Sequence, residues 1–175
     1  MSASSEPERA RRRAALGSAL FLLAAPGVVA GLVPWLLGAW EFETPFRGWI
    51  VLRVLGVALI AAGAAALLHS FARFVVEGLG TPAPVAPTRT LVVGGLYRHV
   101  RNPMYVAVAA LIAGQALLFG QPWLLVYAAA FVAVVASFVR LYEEPTLERS
   151  FGAEYEAYRR AVPGWLPRLR PWCGE

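Results

Sequence analysis

The chain has 175 residues, of which 58% are hydrophobic and 15% charged, and its net charge is +5. Soluble domains sit nearer about 45–50% apolar and about 25% charged, so an ordinary soluble globule is excluded and lipid is the indicated solvent. The chain has no Lys and no Asp, its charged residues being Arg and Glu, which excludes Schiff-base lysine chemistry, an Asp nucleophile and a Walker-type phosphate loop. The single cysteine, Cys173, excludes an internal disulfide and a multi-cysteine metal site.

Four apolar runs follow one another, at about residues 14–38, 49–71, 103–120 and 123–141. Each is close to the roughly 17–25 residues that cross a bilayer, the third only just. The expected fold is therefore all-α: a polytopic membrane bundle of about four transmembrane helices, forming one domain over residues 1–175. The first run carries Pro26 and Pro34 and should be kinked. Arg9 and Arg11 to Arg13 precede it, as in a signal peptide, but its apolar stretch exceeds a signal core of about 7–15 residues. A retained span is expected.

Arginines flank these runs in the way of a membrane protein, so nucleic acid is not an expected partner. They crowd the N-terminal segment, the 72–102 connection (Arg73, Arg89, Arg98, Arg101) and the 142–175 tail (Arg149, Arg159, Arg160, Arg168, Arg170). The other two connections hold only Arg47. Positive-inside bias then puts both termini, the 72–102 loop and the tail in the cytoplasm. High Ala and Arg usage points to a bacterial source, hence to the inner membrane. Runs three and four, joined at Gly120-Gln121-Pro122, should form an antiparallel hairpin that brings Asn102 and Tyr142 together.

Two polar motifs meet at that end. Asn102-Pro103 has the residues of a helix start, Asn at the N-cap and Pro at the first helical position. Around it stand Tyr97, Arg98, His99, Arg101 and Tyr105. Free N–H groups at a helix start suit a carboxylate or phosphate, and Arg98 or Arg101 would add charge-assisted bonds. Plain positive-inside anchoring accounts for the same arginines. Glu143 and Glu144 sit at a helix C-terminus, where the macrodipole and anionic lipid both oppose them. Neighbours on a helix diverge by about 100°, so one of the two should face the groove. A solvated helix end neutralised by Arg140 or Arg149 is the plainer reading.

Leu147, Phe151, Tyr155 and Tyr158 recur at helical spacing and predict an amphipathic cytoplasmic helix at the membrane surface, an anchor or a lid. His69 near the inner end of the second run is more simply tolerated than catalytic. Glu77 to Pro87 is not a dinucleotide fingerprint and reads as an extended loop. No metal-ligand cluster is present.

The order Tyr97-Arg98-x-x-Arg101-Asn102-Pro103-x-Tyr105, apolar hairpin, Glu143-Glu144, then Phe151-Gly152-x-x-Tyr155-x-x-Tyr158-x-x-x-Val162-Pro163 resembles the isoprenylcysteine carboxyl methyltransferase and phospholipid methyltransferase superfamily, over roughly residues 78–167. The resemblance implies S-adenosylmethionine as cofactor, bound by Arg101, Pro103, Tyr105, Glu143 and Glu144, with a lipophilic acceptor and membrane lipid as partners. Asn102 stands where the common motif has His, so no titrating base is expected there. Tyr97, Arg98 and Asn102 complete the candidate cofactor-binding set: a tyrosine for the sulfonium by cation–π contact, an arginine for the carboxylate. The tail also resembles that of membrane steroid reductases, which use NADPH. Close helix packing through Gly114 suits a non-enzymatic scaffold too.

Overall fold

A computed structural model describes residues 24–77 and 90–174. The expected N-terminal part of the first span, its flanking arginines and the Gly- and Pro-rich stretch from Gly78 to Arg89 lie outside the described residues. The helices are α1 (Val28–Gly38), α2 (Ile50–Glu77), α3 (Pro103–Phe119), α4 (Trp123–Phe138), α5 (Glu144–Phe151) and α6 (Ala153–Ala161). A π-turn, Val139–Glu143, joins α4 to α5, and a short 3-10 turn, Gly95–Arg98, leads towards α3. No strand occurs among the described residues, as expected of an all-α chain.

Two helical stretches are long and apolar enough to cross a bilayer, Ile50–Arg73 and Trp123–Phe151. Val28–Gly38 and Pro103–Phe119 are shorter; at 1.5 Å per residue the latter rises about 25 Å against a hydrocarbon core of about 30 Å. By length and composition, two stretches among the described residues qualify as spans, and the first run extends beyond those residues. Exposed Val51, Val54, Val126, Val134 and Leu141 give these helices the apolar outer faces that lipid solvates. Helix α2 continues past Phe71 to Glu77, so the start of the expected 72–102 loop is helical.

The closest helix pairing is α2 with α3, ahead of the α3–α4 hairpin. Small residues spaced by seven on both helices make it possible. A Cβ at Gly56 would stand 2.7 Å from the Gly114 carbonyl oxygen, and one at Gly63 would stand 2.9 Å from that of Ala107. Backbones this close gain dispersion contacts, which drive association in lipid. Leu67, Phe71, Ala107, Val108, Ile112 and Ala128 fill the adjoining core.

The hairpin turn forms as the sequence indicates. Gly120 ends α3 with φ +75°, and its N–H reaches the Ala116 carbonyl. Gln121 is buried and donates to the carbonyls of Gly38 and Glu41, both at 3.0 Å. Trp49 Nε1 donates to Leu117 O at 2.8 Å and Arg53 Nη2 to Glu43 O at 2.9 Å. Arg53 therefore serves to tie down the connection at this end.

The single surface helix expected from Leu147 to Tyr158 is two helices, broken at Gly152, whose φ of +50° and ψ of −123° suit only glycine. Its apolar stripe also turns inward. Tyr155, Tyr158 and Val162 are buried, with Leu91, Val93, Leu147, Phe151 and Trp172 against them. The 90–94 segment and the C-terminal tail supply an apolar partner that periodicity in α5 and α6 could not reveal.

Candidate functional site

A cavity of about 270 Å³ opens at the Asn102 end of the bundle. Its walls are apolar: Ala25, Pro26 and Val29 on one side, Phe71, Met104 and Val108 behind, Phe131 and Val135 from α4. Tyr97, Arg101, Asn102, Pro103, Tyr105 and Glu143 line its polar end. Six of the eight candidate residues thus surround one space. Arg98 and Glu144 do not line it.

Arg101 organises this end. Its Nη1 donates to Glu144 Oε1 at 2.7 Å and to the Tyr155 hydroxyl at 3.0 Å, and its Nε donates to Val162 O at 3.0 Å. Nη2 makes no hydrogen bond among the described residues. Glu144 also faces Arg159, whose Nη2 is 3.8 Å from Oε2. This carboxylate is held between two guanidinium groups. Its neighbour Glu143 accepts a hydrogen bond at Oε2 from Tyr105, 3.0 Å away, and lines the cavity. The adjacent glutamates divide as helical geometry requires: Glu144 holds the arginine, and Glu143 serves the cavity.

Arg98 takes a different course. Its Nε donates to Trp172 O, and its carbonyl accepts from the Trp172 N–H at 3.0 Å. The tail runs alongside the 98–102 segment. Arg168 N donates to His99 O at 3.0 Å, and Arg101 N donates to Pro163 O at 2.9 Å. Asn102 occupies the N-cap position of α3 but makes no capping bond with its side chain. Its amide nitrogen donates to Gly164 O at 3.1 Å, so the side chain ties the helix start to the tail. Pro103 fills the first turn of α3 as expected. Trp165 stacks on Tyr105, with centroids 6.4 Å apart. His69 is exposed and stands beside Gly95, whose φ is +59° and where a Cβ would meet the side chains of His69 and Arg73.

The π-turn that carries Glu143 has a covalent cause. Proline has no N–H and crowds the preceding turn, so a helix widens to admit it. Here the Glu144 N–H reaches back to Val139 O, one residue further than usual, immediately before Pro145. Helix α1 repeats the device: the Val33 N–H reaches Val28 O immediately before Pro34. Both wide turns border the cavity, through Val29 and Glu143. Such turns recur at functional sites, since they shift the faces of a helix relative to each other.

Burial raises the pKa of Tyr97 well above the ordinary phenol value, and it raises those of Tyr158 and Tyr155 too. All three remain neutral phenols near pH 7. The Tyr158 hydroxyl donates to Tyr97 O at 2.7 Å, fixing the turn that carries Tyr97 into the cavity. Sequence motifs missed the apolar wall from Ala25 to Val29, Phe131 and Val135. They also missed Tyr155 and Val162 as partners of Arg101; the apolar stripe holding Tyr155 was the available signal for the first, and the Val162 carbonyl had none.

A family model, described as phospholipid methyltransferase, matches residues 50–154. The chain belongs to the phospholipid methyltransferase family. This methyltransferase, with its two long apolar helices, is an integral membrane protein. The match runs from α2 to the start of α6 and includes every candidate residue from Tyr97 to Glu144. It ends just before Tyr155. No curated protein matches the chain.

Proposed function

We propose that this methyltransferase uses S-adenosylmethionine and acts on a lipophilic acceptor that reaches the cavity from the bilayer. The observation that carries the reading is one small cavity with a guanidinium and a carboxylate at its polar end, aromatic rings beside them and apolar walls elsewhere. These groups match the chemistry of a zwitterionic sulfonium ligand next to an apolar acceptor. S-Adenosylmethionine supplies a methyl group activated on positively charged sulfur.

The chain's residues have separate tasks in this reading. Arg101 Nη2 and the first N–H groups of α3 bind a carboxylate, as helix starts and guanidinium groups do. Glu143 accepts hydrogen bonds from an ammonium or from ribose hydroxyls. Tyr105 and Tyr97 offer ring faces to a cation. The apolar wall excludes water and holds the acceptor in line with the methyl donor, and alignment supplies most of what such a displacement needs. The arginine distribution supports a cytoplasmic cavity mouth and cytoplasmic termini; the four apolar runs support four spans, and the Ala- and Arg-rich composition supports a bacterial inner membrane. The likeness of the tail to isoprenylcysteine-type enzymes favours a small lipophilic acceptor over a soluble one.

Calorimetric titration of the detergent-purified protein with S-adenosylmethionine, S-adenosylhomocysteine and NADPH tests the reading. Binding of the first two without the third is expected. Arg101→Ala should lower that affinity by at least about tenfold, the scale of a lost charged hydrogen bond. Full affinity in Arg101→Ala would remove Arg101 from the site. Binding of NADPH alone would replace the reading with a reductase, and binding of none of the three would favour a scaffold.

A further inference from the structure

We infer that Tyr155 is a positioning residue: its hydroxyl fixes the direction of the Arg101 guanidinium at the polar end of the cavity. The functional consequence rests on the S-adenosylmethionine reading, but the geometry stands apart from it.

An arginine side chain has many rotamers, and one ion pair leaves it free to pivot. Three acceptors converge on Arg101 instead. Glu144 Oε1 and the Tyr155 hydroxyl share Nη1, at 2.7 and 3.0 Å, and Val162 O takes Nε at 3.0 Å. Glu144 alone cannot set the angle, because its other oxygen faces Arg159. The Tyr155 ring can, because it is 2% exposed and wedged among Tyr158, Val162, Leu147 and Phe151. A phenol is neutral near pH 7 and burial pushes the Tyr155 value up further, so it accepts from Arg101 without adding charge. Tyr155 and Val162 both lie beyond residue 154, where the family match ends. The segment after the matched region thus completes the site.

Two readouts test this on the full chain in detergent. The first is the affinity for S-adenosylhomocysteine in a double-mutant cycle of Tyr155→Phe and Arg101→Ala. Tyr155→Phe keeps the buried ring and removes only the hydroxyl. It should weaken binding about five- to tenfold in the native background, and less than about twofold when Arg101 is already absent. Equal weakening in both backgrounds, or none in the native one, would overturn the inference. The second readout needs no ligand. The Arg101 Nε–H resonance, identified by its loss in Arg101→Lys, should be sharp and slow to exchange in the native protein and broadened in Tyr155→Phe. An unchanged resonance would overturn the inference even if binding fell. A broadened resonance in a protein that binds no S-adenosylhomocysteine would uphold the positioning role and reject the cofactor reading.

Discussion

The two π-turns arise from the same proline device and meet different fates. In α1, widening the turn frees two carbonyls, those of Val29 and Ala30. Side chains inside the bundle take both: the Tyr127 hydroxyl donates to Val29 O at 2.9 Å, and Gln115 Nε2 donates to Ala30 O at 2.7 Å. Gln115 is itself fixed by Trp40 Nε1, which donates to its Oε1 at 3.0 Å. The α4–α5 turn frees the carbonyls of Arg140 and Leu141, residues that are exposed. No side chain among the described residues bonds them. The first turn is locked into the protein. The second has its backbone open to the outside and a carboxylate aimed at the cavity. Proline widens a helix, and the neighbours of the turn decide whether the result is a fastening or a site.

Several substitutions should break or sharpen this contrast. Pro145→Ala restores the missing N–H and removes the reason for the wide turn. A regular helix there would rotate everything after the turn by about 100° relative to α4, turning Glu144 away from Arg101. Affinity for S-adenosylhomocysteine, measured by calorimetry, should fall further than in any other variant of this group. Pro145→Ala with native affinity would show that the turn persists without its proline.

Glu143→Gln keeps the shape and removes the charge. It should lower the same affinity about tenfold, with a melting temperature close to native. An equal loss of stability and affinity would make Glu143 a structural group. Gln115→Leu acts on the locked turn and should do the reverse. It leaves Ala30 O and the Trp40 indole without partners, at a cost of about 2 kcal/mol in stability, while the cofactor affinity holds. The smallest effect is expected from Tyr127→Phe, about 1 kcal/mol for one lost hydrogen bond. Thermal unfolding in detergent would read both. A fall in cofactor affinity from either would mean that the α1 turn also serves the site.

Most of the candidate site was legible in the sequence because its residues lie at helix ends. Arg101 precedes α3, Pro103 and Tyr105 begin it, and Glu143 follows α4, so a short hairpin turn at Gly120 was enough to bring them together. The partition of each pair was not legible. Arg98 and Arg101 carry the same charge three residues apart and both bond the C-terminal segment, yet only Arg101 also lines the cavity. Asn102 has the residue type of a helix cap, yet its side chain makes no capping bond and its amide nitrogen donates to Gly164 O.

By itself, the sequence determined that this protein is a helical membrane protein with its polar chemistry at one end. Apolar run length and charge placement are local properties that lipid enforces on any chain. Only the tertiary structure decided which side chains face the cavity. It set the inward turn of the Tyr155 and Tyr158 stripe and the α2–α3 contact through Gly56, Gly63 and Gly114. It also gave Arg101 its three acceptors. These depend on where a distant segment ends up, and a carbonyl from Val162 or Gly164 carries no side-chain signature that a sequence could display.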